Sequence, residues 1–403
     1  MEITIRANKL HYSTYWLVAF FVLLPFEYPL AQYGVGSILR YVGILVMLMA
    51  MCDIAGKQAF RILKDYRTTT IIVWILFVLA SSMWAYDPKR YIHYASMYIN
   101  NALMFLVVSM VQYEQKEAQI LKKAYVVGVT ILLLYMTFVP GAVTYSVWQH
   151  RLTLASANGA AILDQNYLAS IMLMPFAIVF DTLLGNNQKG VLRKIYYIIF
   201  CFGIVFYVFS TGSRSGLIAL CLISGLIVKK NSHKHALIII IVILLLIVGV
   251  PYIIQLMPSD MLDRFTIDAF TGKTSESDDR LQLWAIAFDA LGRGARLVTG
   301  YGAGSSLKVI GQSYGSDTAI HNFYIAHLVE FGLIGFIPFI TLLIRLIKGS
   351  FQKLNYESIY GFLGILFMGF FLDLLTTKFF WTAMLLMTVL VSAGKTAEEK
   401  NNI

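Results

Sequence analysis

Long apolar runs, broken by short turns rich in Lys, Arg and Gly, set the pattern of this chain. A membrane-spanning helix needs about 20 mostly apolar residues. Twelve segments have that character, at approximately 14–31, 36–52, 69–85, 93–111, 124–143, 159–183, 195–211, 215–229, 236–254, 321–345, 358–375 and 379–394. The ninth contains the unbroken aliphatic stretch Ile238 to Leu246, and only Thr211-Gly212-Ser213-Arg214 separates the seventh from the eighth. The first carries Glu27 and no small-x-small cleavage site, so it reads as a retained helix rather than a signal peptide. No repeat of about 20–50 residues stands out, and no inverted pair of segments of the transporter kind. The pattern predicts an all-α polytopic membrane protein with about 12 transmembrane helices and one long external loop, 255–320.

Composition sharpens this. Of the 403 residues 58% are apolar and 13% charged, against roughly 45–50% and 25% in soluble domains. A soluble protein and a disordered chain are both excluded. Three cysteines, Cys52, Cys201 and Cys221, lie in or beside apolar runs and read as small buried hydrophobes, not as a disulfide or metal set. The net charge of +10 is a topological signal. With the N-terminus inside, 20 of the 32 Lys and Arg fall in cytoplasmic segments and six in the short outer turns, the remainder lying in the long loop. The positive-inside rule then predicts N-in and C-in. The partner implied by this charge is anionic lipid in the bilayer, and no nucleic acid.

Candidate chemistry gathers on the side of the long loop, which is locally acidic. Arg214, in Ser213-Arg214-Ser215-Gly216, reads as an interface anchor or as an anion site at a helix start. Leu281, Trp284, Phe288 and Leu291 share one face of a helix predicted to lie on the membrane surface. Arg280 is expected in its first turn, with Ser277 or Asp278 as the cap. It would hold a phosphate or pair with Asp278 or Asp279. Gly300-Tyr301-Gly302-Ala303-Gly304 lacks the setting of a dinucleotide-binding turn and reads as a flexible loop.

His321-Asn322 stands where the loop re-enters the membrane. An imidazole titrating near roughly 6.5 can act as a base at neutral pH, and the alternative is a polar boundary residue. On a regular helix His327 would lie about 240° and Glu330 about 180° around from His321, so neither shares its face, and Glu330 could pair with His327. Asp164 and Asn166 are expected about two turns inside span six, and Asp373 and Lys378 beside the last outer turn. Such groups are functional or paired. No Asp-x-Asp, H-E-x-x-H or other metal-ligand spacing occurs.

Taken in order, Thr211-Gly212-Ser213-Arg214-Ser215-Gly216, Arg280 four residues before Trp284, the Gly-rich stretch, and His321-Asn322 followed by Glu330, Gly332 and Gly335 resemble the O-antigen ligase and polymerase superfamily. Asp164-Gln165-Asn166-Tyr167 looks like its D-x-N element and Lys378-Phe379-Phe380-Trp381 like its late K-x-F/W segment. Residues 160–345 carry the best match. One departure is that Gly292–Thr299 lacks the Pro many relatives have there.

The resemblance implies a multi-span glycosyltransferase of GT-C type in the bacterial plasma (inner) membrane, its active site facing the periplasm or cell exterior. Residues 1–158 would be N-terminal transmembrane helices, 159–345 the ligase/polymerase-like core, and 346–403 C-terminal helices and a short tail. The donor would be an undecaprenyl-diphosphate-linked glycan and the partner substrate an acceptor glycan, with no cofactor and no metal. Chain-length regulator and flippase proteins would be further partners. His321 would be catalytic as the base, and Arg214 and Arg280 would hold the diphosphate. Asn322, Asp164, Asn166 and Lys378 would support them, and Glu330 would be structural. Polymerase is the expected activity. A ligase using a lipid A core, protein or cell-wall acceptor is the alternative, and a lipid-linked sugar transporter or flippase the second alternative.

Overall fold

The computed structural model describes residues 10–31, 38–54, 65–145, 151–155, 163–185, 190–231, 275–352 and 355–401. The ninth predicted span, 236–254, and the long loop up to residue 274 lie outside the described residues. Helix α1 (Tyr12–Leu23) continues through a 3-10 turn into α2 (Glu27–Ala31). Then follow α3 (Ile38–Ile54), α4 (Tyr66–Ala80), α5 (Pro88–Met110), α6 (Gln115–Phe138), α7 (Gln165–Leu184), α8 (Val191–Ser210) and α9 (Arg214–Asn231). The loop contributes α10 (Ser275–Leu291), α11 (Arg296–Thr299) and α12 (Ser306–Tyr314). Helices α13 (Phe323–Gln352), α14 (Tyr356–Met368) and α15 (Lys378–Asn401) complete the bundle.

Several starts are written locally. Asp65 caps α4 by accepting from the Arg67 N–H, and Asp87 caps α5 with Pro88 in its first turn. Glu114 and Glu117 form a reciprocal capping box on α6.

The described residues are mostly helical, as expected, with one exception among them. Val143–Tyr145 (β1) and Leu152–Leu154 (β2) pair antiparallel, Thr144 opposite Thr153. β1, a short run of β-formers, lies just past the turn that ends α6, and β2 is wholly buried.

Six described helices are long and apolar enough to cross a membrane: Tyr12–Leu30, Tyr66–Trp84, Gln115–Phe138, Gln165–Leu184, Val191–Ser210 and Phe323–Gln352. The predicted span 358–375 is corrected. Helix α14 has 13 residues, about 20 Å at 1.5 Å per residue, short of the roughly 30 Å hydrocarbon core. Residues 369–377 leave the helix, with Leu372, Leu374, Leu375 and Thr377 buried. Irregular backbone at such depth is tolerated where protein surrounds it and satisfies its polar groups. Here the Gly369, Asp373 and Leu375 carbonyls accept from the Phe323 N–H, the Tyr167 hydroxyl and the Trp381 indole.

The helices run between two polar ends. One end joins His11 to Glu117, Asp53 to the start of α1, Arg67 to the Thr388 carbonyl, Lys122 to Glu357 and Lys230 to Asp181. The other joins Glu27 to Lys378, Trp84 to Thr299, Arg90 to Asp317 and Tyr167 to Asp373. Between them lies an aromatic core in which Trp74 meets Phe339 and Trp381 at ring separations of 5.1 and 6.1 Å, spacings favoured by ring quadrupoles.

Candidate active site at one end of the bundle

His321 is exposed and holds φ +51°, the only non-glycine residue at positive φ among the described residues. That region costs an L-residue roughly 1–2 kcal/mol, and such strain collects at functional sites. Its cause is local. Asn322 is buried, and its Oδ1 accepts from the N–H groups of Tyr324 (3.0 Å) and Ile325 (3.1 Å). It is therefore the N-cap of α13, and His321 turns out of the helix one residue earlier. The expected span start at 321 moves to Phe323. The angular comparison with His327 and Glu330 does not apply, because His321 is not helical.

His327 does not pair with Glu330. It is fully buried among Trp74, Phe323, Phe331 and Phe339, and its Nε2 accepts from the Trp74 indole at 3.3 Å. Glu330 is buried and accepts instead from Ser306 (2.7 Å) and Tyr98 (3.0 Å). This contact pins the segment bearing Ser306 to the bundle.

The glycine-rich stretch is docked rather than flexible. α13 breaks at Gly332 (φ +57°), and the Val329 and Glu330 carbonyls accept from the N–H groups of Tyr301 and Gly302 at 2.9 and 2.8 Å. A Cβ at Gly300 would strike the Glu330 carbonyl and one at Gly332 the Val298 carbonyl. Both positions therefore require glycine, on contact as well as on φ. The segment without Pro, 292–299, closes instead as the helical turn α11.

α10 differs from its expected form in two ways. It is already helical at Ser275, so Arg280 lies beyond the first turn and not at a helix start. Its buried face is Leu283, Ala287, Ala290 and Leu291, whereas Leu281 and Phe288 are exposed. Trp284, one turn from Arg280, donates to the Ile320 carbonyl at 3.2 Å, immediately before His321. The Arg280 guanidinium lies 5.9 Å from the Phe371 ring centroid, a cation–π distance.

The D-x-N and S-R-S-G elements meet. Asp164 is exposed and caps α7, accepting from the Asn166 N–H at 2.8 Å. It stands at the helix mouth, not two turns inside, because α7 starts at Gln165. The Asn166 Oδ1 accepts from the Ser213 hydroxyl at 2.7 Å and from Arg151 at 3.1 Å. Ser213 Oγ also accepts from the Gly216 N–H at 3.1 Å, capping α9. A Cβ on Gly216 would lie 2.9 Å from that of Ala169, so glycine lets α9 pack closely on α7. Arg214 is the first residue of α9, half-buried above this contact. Lys378 opens α15 and pairs with Glu27, lining a small pocket with Tyr28, Tyr167 and Phe379.

Loop 369–377 is the hub. Gly369 accepts from Phe323 at 2.7 Å, Phe370 packs on Tyr324 at 4.7 Å, Phe371 faces Arg280, and Asp373 accepts from Tyr167 at 3.1 Å. Segments carrying Arg280, His321-Asn322 and Asp164-Asn166 thus converge on one loop, and Arg214 joins through Asn166. Lys378 begins the helix the loop leads into. Sequence reading missed Arg151, counted only as an outer charge, and the hub loop, hidden inside an apolar run. An Arg directly before the run Leu152-Thr153-Leu154 was the one available signal.

The fold and this end define a polytopic helical membrane protein with a polar, cation-bearing site at one end. Residues 199–340 match the family model described as O-Antigen ligase. The match is consistent with the O-antigen ligase and polymerase superfamily, and it spans Arg214, Arg280, His321 and Glu330 but not Arg151, Asp164, Asn166 or Lys378. No match is found among curated proteins. With the apolar helices, the match supports an integral membrane protein with a glycan-processing function of the ligase or polymerase type, a family description that implies a lipid-linked glycan and an acceptor.

Proposed function

We propose that the protein polymerises undecaprenyl-diphosphate-linked repeat units into a surface polysaccharide at the outer face of the membrane. The observation that carries this reading is the convergence of the Arg280, His321 and D-x-N segments on loop 369–377. Residues 159–345 form the reaction core, to which the C-terminal segment adds the hub loop. The positive-inside split supports placing this end at the periplasm or cell exterior.

The chemistry needs a base, a grip on the leaving group and nothing redox-active. A nitrogen of the His321 imidazole takes the acceptor hydroxyl proton as that oxygen attacks the anomeric carbon. The bond from that carbon to the phosphate oxygen breaks, and its electron pair leaves with undecaprenyl diphosphate. Attack opposite the leaving group inverts the anomeric centre. Arg214 and Arg280 stabilise the growing diphosphate charge, so transfer proceeds without a metal. Asn322 and Asp164 act through helix caps, and Asn166 acts through Ser213.

The family description favours a second reading, a ligase. We prefer the polymerase because an acceptor carried on lipid in the same leaflet needs no docking surface beyond one modest loop. Purified protein in nanodiscs given only lipid-linked oligosaccharide separates the two. A polymerase makes a ladder of products, whereas a ligase makes none until a lipid A core, protein or cell-wall acceptor is added. Movement of the glycan across the bilayer without transfer would instead make it a flippase. Transfer abolished by a chelator would overturn the metal-free step.

A further inference from the structure

Arg151 stands just before β2, buried at 6% exposure. Its Nε donates to the Thr211 carbonyl at 2.9 Å, and its Nη2 donates to the Asn166 Oδ1 at 3.1 Å. The Thr211 carbonyl belongs to the C-terminal end of α8, where a cation also complements the helix dipole. The same Asn166 oxygen accepts from Ser213, whose Oγ caps α9. One guanidinium therefore clasps the β-hairpin, the D-x-N helix and the turn joining α8 to α9. Ser213 and Ser215 are both buried, so the clasp fixes the backbone on either side of Arg214.

We propose that Arg151 is a positioning residue for Arg214, holding it in the orientation that binds the donor diphosphate. The proposal rests on the reading of Arg214 as a diphosphate ligand. Two fixed donors reach two acceptors on different segments, a task that suits the planar fork of Arg and not the single ammonium of Lys. The hairpin does not need Arg151 for its own closure. Its ladder and the Ala155 N–H bond to the Ala142 carbonyl at 3.0 Å already hold β2 in place. What Arg151 adds is a tie from the hairpin to Asn166 and Thr211.

The test is steady-state transfer by the purified full-length protein in nanodiscs, with undecaprenyl-diphosphate-linked oligosaccharide varied. Arg151→Gln should raise the donor KM about tenfold or more while kcat changes less, and Arg151→Lys should rescue only in part. The effects of Arg151→Gln and Arg214→Lys should be non-additive, the double variant being little worse than Arg214→Lys alone, because both act on one contact. A brace that merely supports folding would lower Tm and the active fraction and leave KM unchanged. Unchanged donor KM in Arg151→Gln, or fully multiplicative effects, would overturn the proposal. If Arg151→Gln fails to fold, Arg151→Lys carries the same KM test. Normal transfer by Arg214→Ala would remove the reading on which the proposal rests. Loss in Arg214→Ala with wild-type KM in both Arg151 variants would remove the Arg151 role alone.

Discussion

The two polar ends of the bundle use charge differently. At the end away from His321, buried carboxylates meet cations or hydroxyls at short range. Glu117 takes bonds from His11 and Thr14, and Lys122 reaches Glu357 and Asn355. The charges there tie helix ends to neighbouring helices. At the His321 end, side-chain oxygens cap helices, Arg151 grips a carbonyl and an amide, and Arg280 lies over an aromatic ring. The backbone departs from helix at His321, Gly332 and residues 369–377. Ion pairs occur here too, at Glu27–Lys378 and Arg90–Asp317, but beside these irregular segments and not in place of them. Closed pairs build stability, whereas capped, strained and cation-bearing segments build a surface to which an anion can bind.

That contrast can be broken most directly at His321. His321→Ala should cut transfer by roughly 10²–10⁴-fold while lipid-linked donor still binds, measured by turnover and donor binding on the same preparation. Normal turnover would end the proposed chemistry. Next in size is the far end. Lys122→Met leaves Glu357 without its cation in a mostly buried setting, a change worth about 3–5 kcal/mol where a pair is fully buried. Thermal unfolding in detergent should show a large loss, with donor KM unchanged in the protein that remains folded. A raised KM would mean that the two ends are not separate in function.

A third comparison concerns the two histidines. If His327 were merely a helix residue facing away from His321, His327→Ala would be mild. The structure revises this: the variant leaves a cavity in the aromatic core and strands the Trp74 N–H, and an orphaned buried donor costs about 1–3 kcal/mol. Stability should fall while donor affinity holds, the reverse of His321→Ala. The smallest effect belongs to Asn322. Asn322→Ala removes a helix cap worth about 0.5–2 kcal/mol, and Asn322→Asp should restore stability because it keeps the capping oxygen. If Asp restores stability but not transfer, the Asn322 amide acts on substrate as well as on the helix.

The apolar runs and basic turns, read by themselves, determined the helical membrane class, the rough extent of the described spans and the identity of the candidate groups. Hydrophobic length and charge asymmetry are properties of contiguous residues, and so are caps such as Asp164 before α7 and Asn322 before α13. The left-handed turn at His321, the docking of Gly300–Gly304 onto the break at Gly332, and the bonds from Tyr98 and Ser306 to Glu330 were decided only in three dimensions. So was the hub at 369–377, where an apolar run stops being helix because neighbouring segments satisfy its carbonyls. Arg151 meets Asn166 across 15 residues and Thr211 across 60. No local pattern encodes such a meeting, because the energy that selects it arises only when packed helices bring distant donors and acceptors out of water together.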